Sequence, residues 1–428
     1  MKILVISHNV FSETSNMGKT LSAYFENWQA EKLAQFYIHS EVPTIDTCKN
    51  YFRITDKEML ASIFSRRCGR VFGEANIEHG RVSSRTDAGL AAQMYQKARK
   101  RTPLIYLARN LVWTLGKWNT KAFQKWVDDF APDAVFFASG DYAFMYKIAL
   151  IIAKRKKIPL IVSCMDDYYF YNKNSNRFLG KLAHKLFMRQ VKKTMHYASV
   201  IMSICDRMTR DYGAYFNKPC YTIHTRSDIS KPINVPKERK ISYLGNLGYS
   251  RHLQLVAIGR ALKNLHLENA PSCVDVYSAE SDPEILKYLT PENGICFHGA
   301  IGAEEVKKII GESLAVIHTE SFDEDIAKRV RYSVSTKIAD SLASGTPLIA
   351  YGPADIASIE YLKGNDAALV ITRAEDLELK LGEFFEDASL RENIKNNALT
   401  LADQNHCGWI SRHRLQEVLE KTLFEIRV

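Results

Sequence analysis

The chain has 428 residues, 46% apolar and 25% charged, a composition typical of a globular protein large enough for two or three domains. Its eight cysteines include no C-x-x-C pair, so the sequence predicts neither a disulfide framework nor a zinc site and fits a reducing compartment. No apolar run approaches the roughly 18 residues that a membrane-spanning helix needs, and the amino-terminal run is too short for a signal peptide.

Charge is divided unevenly between two halves of the chain. Residues 1–235 hold 36 lysines and arginines against 19 aspartates and glutamates, a net charge of +17. Residues 236–428 hold 22 against 29, a net charge of −7. This asymmetry predicts two domains with different partners. The basic half predicts an anionic partner, either a lipid surface or a nucleic acid; the alternative is a solvated basic face without a specific partner.

Strand and helix patterns alternate through the first half. They predict strands over 2–7, 33–38, 133–140, 158–164 and 200–204, and helices over 19–28, 119–130, 142–157, 178–193 and from 206 onward. Residues 45–118 are polar and basic, and we expect helices there with mobile connections. The alternation predicts a doubly wound α/β domain.

Gly18, Lys19 and Thr20 resemble the end of a phosphate-binding P-loop. The first glycine of that loop would fall at position 13, where Glu13 would oppose a phosphate, and the other loop glycines are missing. Gly18 and Lys19 are better interpreted as a turn that leads into a helix beside an active-site cleft.

Acidic residues follow two of the predicted strands. Asp141 comes directly after the strand over 133–140, and Asp166 and Asp167 follow the strand over 158–164. Ligands of doubly wound sheets bind at the carboxyl ends of the strands, where such acids can orient a substrate hydroxyl or act as a base. Helix caps or loop turns are the alternative interpretation.

A basic amphipathic helix is predicted over 178–193. Phe178, Leu182 and Leu186 recur at a spacing of four, while Lys181 and Lys185 lie on the polar face. This pattern is typical of an interfacial helix that binds anionic lipid, and equally of a helix that packs on a sheet with a basic outer face.

A linker with two prolines over 230–237 separates the halves. The second half then predicts strands over 240–244, 274–277, 295–298 and 314–318, helices over 253–265 and 304–310, a polar loop over 319–332, and a final helix over 410–426. Gly245 and Asn246 open a glycine turn between the first strand and helix. Such a turn is a common, though unspecific, phosphate-binding arrangement.

The stretch over 333–353 carries the strongest signal. It predicts a helix over 335–344 that is stopped by Gly345 and followed by a buried strand. Ser335 and Thr336 at the helix start, with Lys337 beside them, form a cradle for a phosphate. Asp340 lies one turn further on, where a carboxylate can bind a sugar hydroxyl. This order predicts a nucleotide-sugar site.

Three segments of the second half share these features with a known family. They are Tyr243-Leu244-Gly245-Asn246-Leu247, Phe297-His298-Gly299, and the run from Ser335 through Lys337, Asp340, Gly345 and Pro347 to Ile349. In these segments and their spacing the chain resembles the donor domain of family 4 glycosyltransferases. In the first half, Gly18-Lys19-Thr20 and Asp166-Asp167 are most similar to the glycosyltransferases of bacterial surface and capsular polysaccharide synthesis.

The resemblance implies an α/β protein of the GT-B fold, in which two facing, doubly wound Rossmann-like domains enclose a central cleft. It implies an acceptor-binding domain over 1–235, a donor-binding domain over 236–405, and a carboxyl-terminal helix over 406–428 that packs back toward the first domain. Gly18 and Lys19 would lie on the acceptor side.

The family's functional residues are only partly kept. By position, Asp340 takes the place of the glutamate that binds the donor ribose. The family's earlier glutamate falls at Tyr332, and Glu320 or Glu324 is a possible substitute. Asn246 stands where the family has a diphosphate-binding arginine.

Other cations are expected to supply the missing positive charge. Arg251 is near the family's lysine position, and Lys337, with Arg329 or Arg331, would add to it. His298 and Gly299 complete the implied donor-binding set, while Asp141, Asp166 and Asp167 are the candidate catalytic acids.

The implied activity is transfer of a sugar, with retention of configuration, from a nucleotide-diphosphate sugar to a glycan or polyprenyl-diphosphate-linked acceptor. Neither a cofactor nor a metal is expected. The basic half then predicts an anionic membrane surface as partner, and a cytoplasmic protein peripheral to the inner membrane face. A nucleotide-sugar epimerase of the same fold and an inactive nucleotide-binding subunit are alternatives; no nucleic-acid module is recognisable.

Overall fold

The computed structural model describes residues 1–12, 16–65, 68–73, 103–170 and 178–427. Contacts divide the chain into two compact units. The first unit comprises Met1–Ile204, Met208–Ile223 and Arg412–Val428, and the second comprises Cys205–Arg207 and His224–Ser411. The second unit therefore begins at His224, ahead of the proline linker.

The first unit is built on an eight-stranded sheet. Its strands are β1 (Ile3–Ser7), β2 (Leu33–Tyr37), β3 (Tyr51–Arg53), β4 (Arg70–Phe72), β5 (Ala134–Ser139), β6 (Leu160–Cys164), β7 (Val200–Ser203) and β8 (Cys220–Thr222). Their order is β4-β3-β2-β1-β5-β6-β7-β8, and every described pair is parallel except β3 with β4. The strands β1, β2, β5 and β6 are buried along their whole length, as the unbroken apolar runs predict.

Helices connect these strands. They are α1 (Asn16–Phe25), α2 (Asp56–Ser62), α3 (Pro103–Leu115), α4 (Lys121–Phe130), α5 (Ala143–Lys156), α6 (Phe178–Tyr197) and α7 (Asp206–Phe216), with a 3-10 turn at Ala30–Lys32. Thr55 begins α2 with a capping box closed by Glu58, and Thr120 begins α4 by accepting from the N–H of Phe123.

The second unit holds a parallel six-stranded sheet. Its strands are β9 (Glu238–Leu244), β10 (Val274–Tyr277), β11 (Ile295–Gly299), β12 (Ser313–Thr319), β13 (Leu348–Tyr351) and β14 (Leu369–Ile371), in the order β11-β10-β9-β12-β13-β14. Two apolar clusters cover its two faces. One gathers around Ile241 and the other around Leu342, which lie on opposite sides of the sheet.

The helices of this unit complete the alternation. They are α8 (Arg251–Leu265), α9 (Pro283–Leu286), α10 (Ala303–Glu312), α11 (Glu324–Val330), α12 (Thr336–Ala343), α13 (Ala357–Gly364), α14 (Leu377–Glu386), α15 (Ala388–Asn405) and α16 (Gly408–Arg427), with 3-10 turns at Pro291–Asn293 and Ala374–Asp376. Gly345 follows α12 with a φ of 76°, the left-handed conformation that the sequence predicts at a helix stop.

The last helix contributes to the core of the first unit. Leu415, Val418 and Leu419 of α16 are buried with β1 side chains such as Ile3 and Val5. Among the described residues, no helix combines the length and the apolar character needed to cross a membrane.

Three expectations from the sequence are corrected. The region over 45–118 contains strands β3 and β4 as well as helices, because three-residue strands are too short to show a period. The polar loop over 319–332 contains α11, which Asp323 caps by accepting from the N–H of Ile326. Cys273 and Cys296 form a disulfide, because parallel pairing brings together cysteines that are 23 residues apart.

Candidate functional site

The turn between β9 and α8 is tightly organised. The N–H of Gly245 donates to the carbonyl of Tyr277 (3.0 Å), and that of Gly248 donates to Asn246 Oδ1 (2.6 Å). Tyr249 and Ser250 have φ values of 60° and 57°, which side-chain-bearing residues rarely adopt. Asn246, expected in an arginine's place, thus uses its Oδ1 to close the turn. Two successive strained residues before a helix are typical of a functional loop.

Arg251, the first residue of α8, forms a two-bond ion pair with Glu320. Its Nε lies 3.1 Å from Glu320 Oε2, and its Nη2 lies 2.9 Å from both carboxylate oxygens. The Glu320 side chain is 2% exposed and that of Arg251 17%. Burial raises the pKa of the Glu320 carboxyl, and the Arg251 guanidinium opposes that rise. We take the pair as ionised, because it has the two-bond geometry of a guanidinium with a carboxylate.

Arg251 keeps further hydrogen-bond donors beyond this pair. Its Nη1 makes no hydrogen bond to any residue that the structure describes, so two N–H groups are available to an anion. The Tyr249 ring lies between two cations, 5.5 Å from Arg251 and 4.7 Å from Arg329. Arg329 thus lies beside the Tyr249 ring, next to the glycine turn, whereas Arg331 lies against the Tyr332 ring.

Glu320 is fixed from its other sides as well. Its N–H donates to the carbonyl of Tyr351 (3.0 Å), and a Cβ at Gly352 would lie 3.2 Å from the Glu320 backbone and Cβ. The neighbouring His318 is buried, and its Nε2 lies 2.9 Å from Ser358 Oγ. Burial, aided by the charge of Arg251, lowers the pKa of His318 to about 3. The imidazole is therefore neutral at physiological pH.

His298 and Gly299 lie at the end of β11. The His298 ring stacks on Tyr277, with centroids 4.6 Å apart and 14° between planes, and its Nε2 lies 2.6 Å from Asp275 Oδ1. The carbonyl of Gly299 accepts from the N–H of Ser278 (2.9 Å). Through Tyr277, the end of β11 adjoins Gly245 at the glycine turn, so the structure brings these predicted residues to one edge of the sheet.

The start of α12 offers fewer backbone donors than expected. Ser335 caps the helix, and its Oγ accepts from the N–H of Lys337 (3.3 Å) while its carbonyl accepts from that of Ile338 (3.0 Å). Thr336 and the Lys337 side chain are exposed. A phosphate at this helix end would meet chiefly these two residues.

Asp340 is half-buried and tied to the segment that precedes the linker. Its Oδ1 accepts from Ser227 Oγ and from the N–H of Asp228, both at 2.8 Å. Its Oδ2 makes no hydrogen bond to the described part of the chain and can accept from a ligand hydroxyl. Burial raises the pKa of this carboxyl, and the two hydrogen bonds oppose the rise.

Glu320 and Glu324 are the two candidate replacements for the family's missing glutamate, and their surroundings differ. Tyr332, which takes its place in the sequence, is buried, and its carbonyl accepts from Cys205 Sγ (3.5 Å). Glu324 is exposed and pairs with Lys328 one turn along α11 (3.3 Å). Glu320 is the buried, positioned carboxylate, and its partner is Arg251.

The acids of the first unit serve the loop after β6. Asp167 is buried, and its Oδ1 accepts from the N–H groups of Tyr169 and Phe170 and from the hydroxyl of Tyr212, at 2.7–3.0 Å. Asp166 Oδ1 accepts from the N–H of Asp167 (2.9 Å). These bonds favour the loop-turn interpretation for Asp167.

Asp141 follows β5, next to a cluster that the sequence did not reveal. The His8 ring, at the end of β1, lies 5.6 Å from Tyr142 and 5.7 Å from His39. The guanidinium of Arg109 lies 3.9 Å from the centre of the Tyr142 ring. Burial and then the charge of Arg109 lower the pKa of His8 to about 4. In the sequence, the only signal of this cluster was a histidine directly after the first buried strand, because the partners of that histidine come from distant segments.

Gly18 and Lys19 lie near the start of α1. Gly18 is buried, and its carbonyl accepts from Ser22 Oγ (2.9 Å), whereas Lys19 is exposed. Glu13, at the position where a P-loop would have its first glycine, lies outside the described residues.

No family model and no curated protein sequence matches the chain. Solved structures do match it. The HepE protein of Anabaena in complex with UDP is 11% identical, with a TM-score of 0.62 over 98% of this chain and 100% of that one. Sucrose-phosphate synthase of Thermosynechococcus elongatus is 10% identical, with a TM-score of 0.59 over the whole of both chains. WaaG, a glycosyltransferase of lipopolysaccharide biosynthesis, is 12% identical, with a TM-score of 0.55 over 96% and 98%.

These similarities extend over nearly the entire chain and confirm the predicted fold. The protein has two Rossmann-like α/β domains of the GT-B class. At this level of identity, the similarity establishes the fold, and the chemistry has to be argued from the residues.

Proposed function

We propose that the protein is a glycosyltransferase that takes a sugar from a nucleotide-diphosphate donor. The observation that carries this proposal is the buried Arg251–Glu320 pair beside the strained glycine turn. It lies at the carboxyl ends of β9 and β12, which are neighbours in the sheet, and ligands of such sheets bind at that edge. HepE, which shares the fold, has been solved with UDP and with UDP-glucose.

The parts of the site match the parts of such a donor. The Nη1 donors of Arg251, with Arg329 and the exposed Lys337, would stabilise the charge that develops on the departing diphosphate. Asp340 Oδ2 would accept from a ribose hydroxyl, as the family resemblance implies for that position. Because Arg251, Arg329 and Lys337 are cations of the chain itself, transfer would need no metal.

The finer assignments belong to the same proposal. We infer membership of family 4 from the motif over 335–349, and retention of anomeric configuration as what that resemblance implies. The resemblance at Gly18-Lys19-Thr20 and Asp166-Asp167 supports a role in bacterial surface or capsular polysaccharide synthesis. His8, Asp141 and Asp166 lie at the carboxyl edge of the first unit's sheet, where an acceptor hydroxyl would be oriented.

Helix α6 supports an acceptor carried by a membrane. Its inner face buries Ala183, Phe187, Val191 and Met195. Its outer face exposes the apolar side chains of Phe178 (81%), Leu179 (44%), Leu182 (40%) and Leu186 (48%), among the exposed cations Lys181, Lys185, Arg189, Lys192 and Lys193. The buried face supports the interpretation as a packed helix, and the exposed face supports the interpretation as an interfacial helix.

Exposed apolar side chains among cations are the composition of a surface that binds anionic lipid. We propose a polyprenyl-diphosphate-linked or other glycan acceptor at the cytoplasmic face of the cell membrane, with the protein bound there peripherally.

The test is a screen of UDP-, GDP-, ADP- and dTDP-sugars. Stabilisation against heat identifies the donor, and release of the nucleoside diphosphate in the presence of membrane lipid extract measures transfer. A donor that binds and is consumed supports the proposal. Conversion of the sugar without acceptor would indicate an epimerase, binding without release would indicate an inactive subunit, and binding of no nucleotide-sugar would refute the proposal.

A further inference from the structure

Three side chains of metal-ligating types lie close together at one edge of the second unit's sheet, on the residue before β10, on β10 itself and on β11. Cys273, Asp275 and Cys296 are each half-buried, and their ligand atoms lie within 4.8 Å of one another. We call these three residues the edge cluster. It is the one group of three or more potential ligands among the described residues.

The sheet itself brings the cluster together. Strands β10 and β11 pair in parallel, with Asp275 opposite Cys296 in the register. Cys273 precedes Asp275 by two residues and so lies on the same face of the sheet. The geometry is therefore fixed by backbone pairing rather than by flexible loops, which favours a preformed site.

A histidine supports the carboxylate. His298 Nε2 lies 2.6 Å from Asp275 Oδ1, and the ring is held by stacking on Tyr277 at 4.6 Å. Hydrogen bonds of this kind orient metal-binding carboxylates, and losing such a partner costs roughly 10–100-fold in metal affinity. In this arrangement His298 is a positioning residue.

The donor set selects a class of ion. Two thiolates and one carboxylate favour Zn²⁺ or a chemically similar borderline ion over Mg²⁺ and Ca²⁺, which prefer oxygen ligands. In a tetrahedral zinc site the sulfur atoms stand about 3.8 Å apart, given zinc–sulfur bonds of about 2.3 Å. The ligand atoms of the edge cluster lie within 4.8 Å of one another, a range that includes that spacing.

We propose that the edge cluster, once a thiol or phosphine reductant has opened its disulfide by supplying two electrons and two protons have completed the two thiols, binds one divalent ion of the zinc type through Cys273 Sγ, Cys296 Sγ and a carboxylate oxygen of Asp275. Binding displaces one proton from each thiol. In the structure the two cysteines form a disulfide, and the disulfide and the ion exclude each other because they use the same sulfur atoms. The ion would fix edge strand β11 to β10 and take no part in sugar transfer. The proposal does not rest on the proposed function, because none of the three ligands belongs to the implied donor-binding set; His298, which supports Asp275, is the one residue that the two proposals share.

The experiment uses the full chain, reduced with a phosphine and transferred to anaerobic buffer. Titration with Co²⁺ should produce thiolate-to-cobalt charge-transfer absorption that saturates at one ion per chain and disappears on addition of Zn²⁺. Cys273→Ser, Cys296→Ser and Asp275→Asn should abolish tight binding, and His298→Ala should weaken it roughly 10–100-fold. Cys407→Ser is the matched control, since Cys407 is a half-buried free cysteine elsewhere in the unit, and should bind like wild type.

Two results would overturn the proposal. One is reduced wild type that shows no charge-transfer absorption. The other is full binding by the Cys273→Ser or Asp275→Asn variant, which would place the ion elsewhere. Circular dichroism shows whether each variant is folded, and Asp275→Asn tests the site with both thiols intact should a serine variant fail to fold.

Discussion

Arg251 and Glu320, 69 residues apart in sequence, share one of the least exposed ion pairs in the described chain, with three nitrogen–oxygen distances between 2.9 and 3.1 Å. Desolvating both charges is costly, so such a pair contributes little net stability. The position of the pair at the carboxyl edge of the sheet is better explained if the remaining N–H groups of Arg251 bind an anionic ligand.

Arg251→Met should therefore separate stability from binding. This substitution leaves the buried Glu320 carboxylate without its cationic partner, and we expect a loss of roughly 3–5 kcal/mol in the free energy of unfolding. The double variant Arg251→Met/Glu320→Leu should recover most of that loss, since it buries two apolar side chains instead of one unpaired charge. Both variants should lose binding of nucleoside diphosphate, measured by calorimetry.

The control for this experiment is an exposed pair in the same unit. Lys287 and Glu284 lie at the surface, with side chains 53% and 78% exposed, and Lys287→Met should leave the free energy of unfolding close to that of wild type. A double variant that binds nucleotide like wild type would remove Arg251 from the site.

The ribose assignment of Asp340 can be tested against its structural role. Asp340→Ala should weaken nucleoside diphosphate affinity roughly 10–100-fold, because a hydrogen bond to a charged group is worth about 1.5–3 kcal/mol. It should also lower stability, because Ser227 Oγ and the N–H of Asp228 lose their acceptor. Ser227→Ala removes one of those bonds and leaves Oδ2 intact, so its affinity should stay within about 3-fold of wild type. Equal affinity of Asp340→Ala and wild type would leave the residue with a structural role alone.

The sequence predicted the large elements because long apolar runs and helical periods are local signals. It could not predict β3 or β4, whose three residues take their conformation from sheet partners, nor the helix α11 inside a polar stretch. The same limit applies to the sites. Ser335, Lys337 and Asp340 were proposed from a local motif, and Arg251 from the family resemblance, which has a lysine near that position after the glycine turn.

Contacts between distant segments could not be predicted from the sequence. Glu320 was only one of two possible substitutes, and its pairing with Arg251 depends on β9 and β12 being neighbours. The disulfide between Cys273 and Cys296 likewise depends on strand register, which no C-x-x-C spacing reports. The His8 cluster draws on residues from four separate segments.

His318 should make stability depend on pH. Its folded pKa of about 3 lies below the ordinary value of 6.5, so between these values the unfolded state binds a proton that the folded state excludes. Stability is therefore lost as the pH falls, by about 2 kcal/mol between about pH 7 and about pH 5. The nearest charged groups, Glu320 (3.8 Å) and Arg251, are present in both wild type and variant.

We expect urea unfolding to show that the free energy of unfolding of His318→Gln falls less than that of wild type between about pH 7 and about pH 5, by about 2 kcal/mol. The plot of unfolding free energy against pH should therefore have a shallower slope for the variant. His413→Gln is the matched control, since the side chain of His413 is 61% exposed, and it should keep the wild-type slope. Identical slopes for wild type and His318→Gln would mean that His318 titrates normally in the folded protein.

The outer face of α6 should direct the protein to anionic lipid. Flotation should show binding to phosphatidylglycerol vesicles that weakens as salt is raised, because exposed charges are screened. Lys181→Gln/Lys185→Gln should weaken partitioning roughly 30-fold, at about 1 kcal/mol for each lysine near the surface. Lys308→Gln/Lys328→Gln, which alters exposed lysines of the second unit, should bind like wild type. Equal binding of wild type to neutral and anionic vesicles would contradict this assignment, because no lysine-dependent attraction would then be at work.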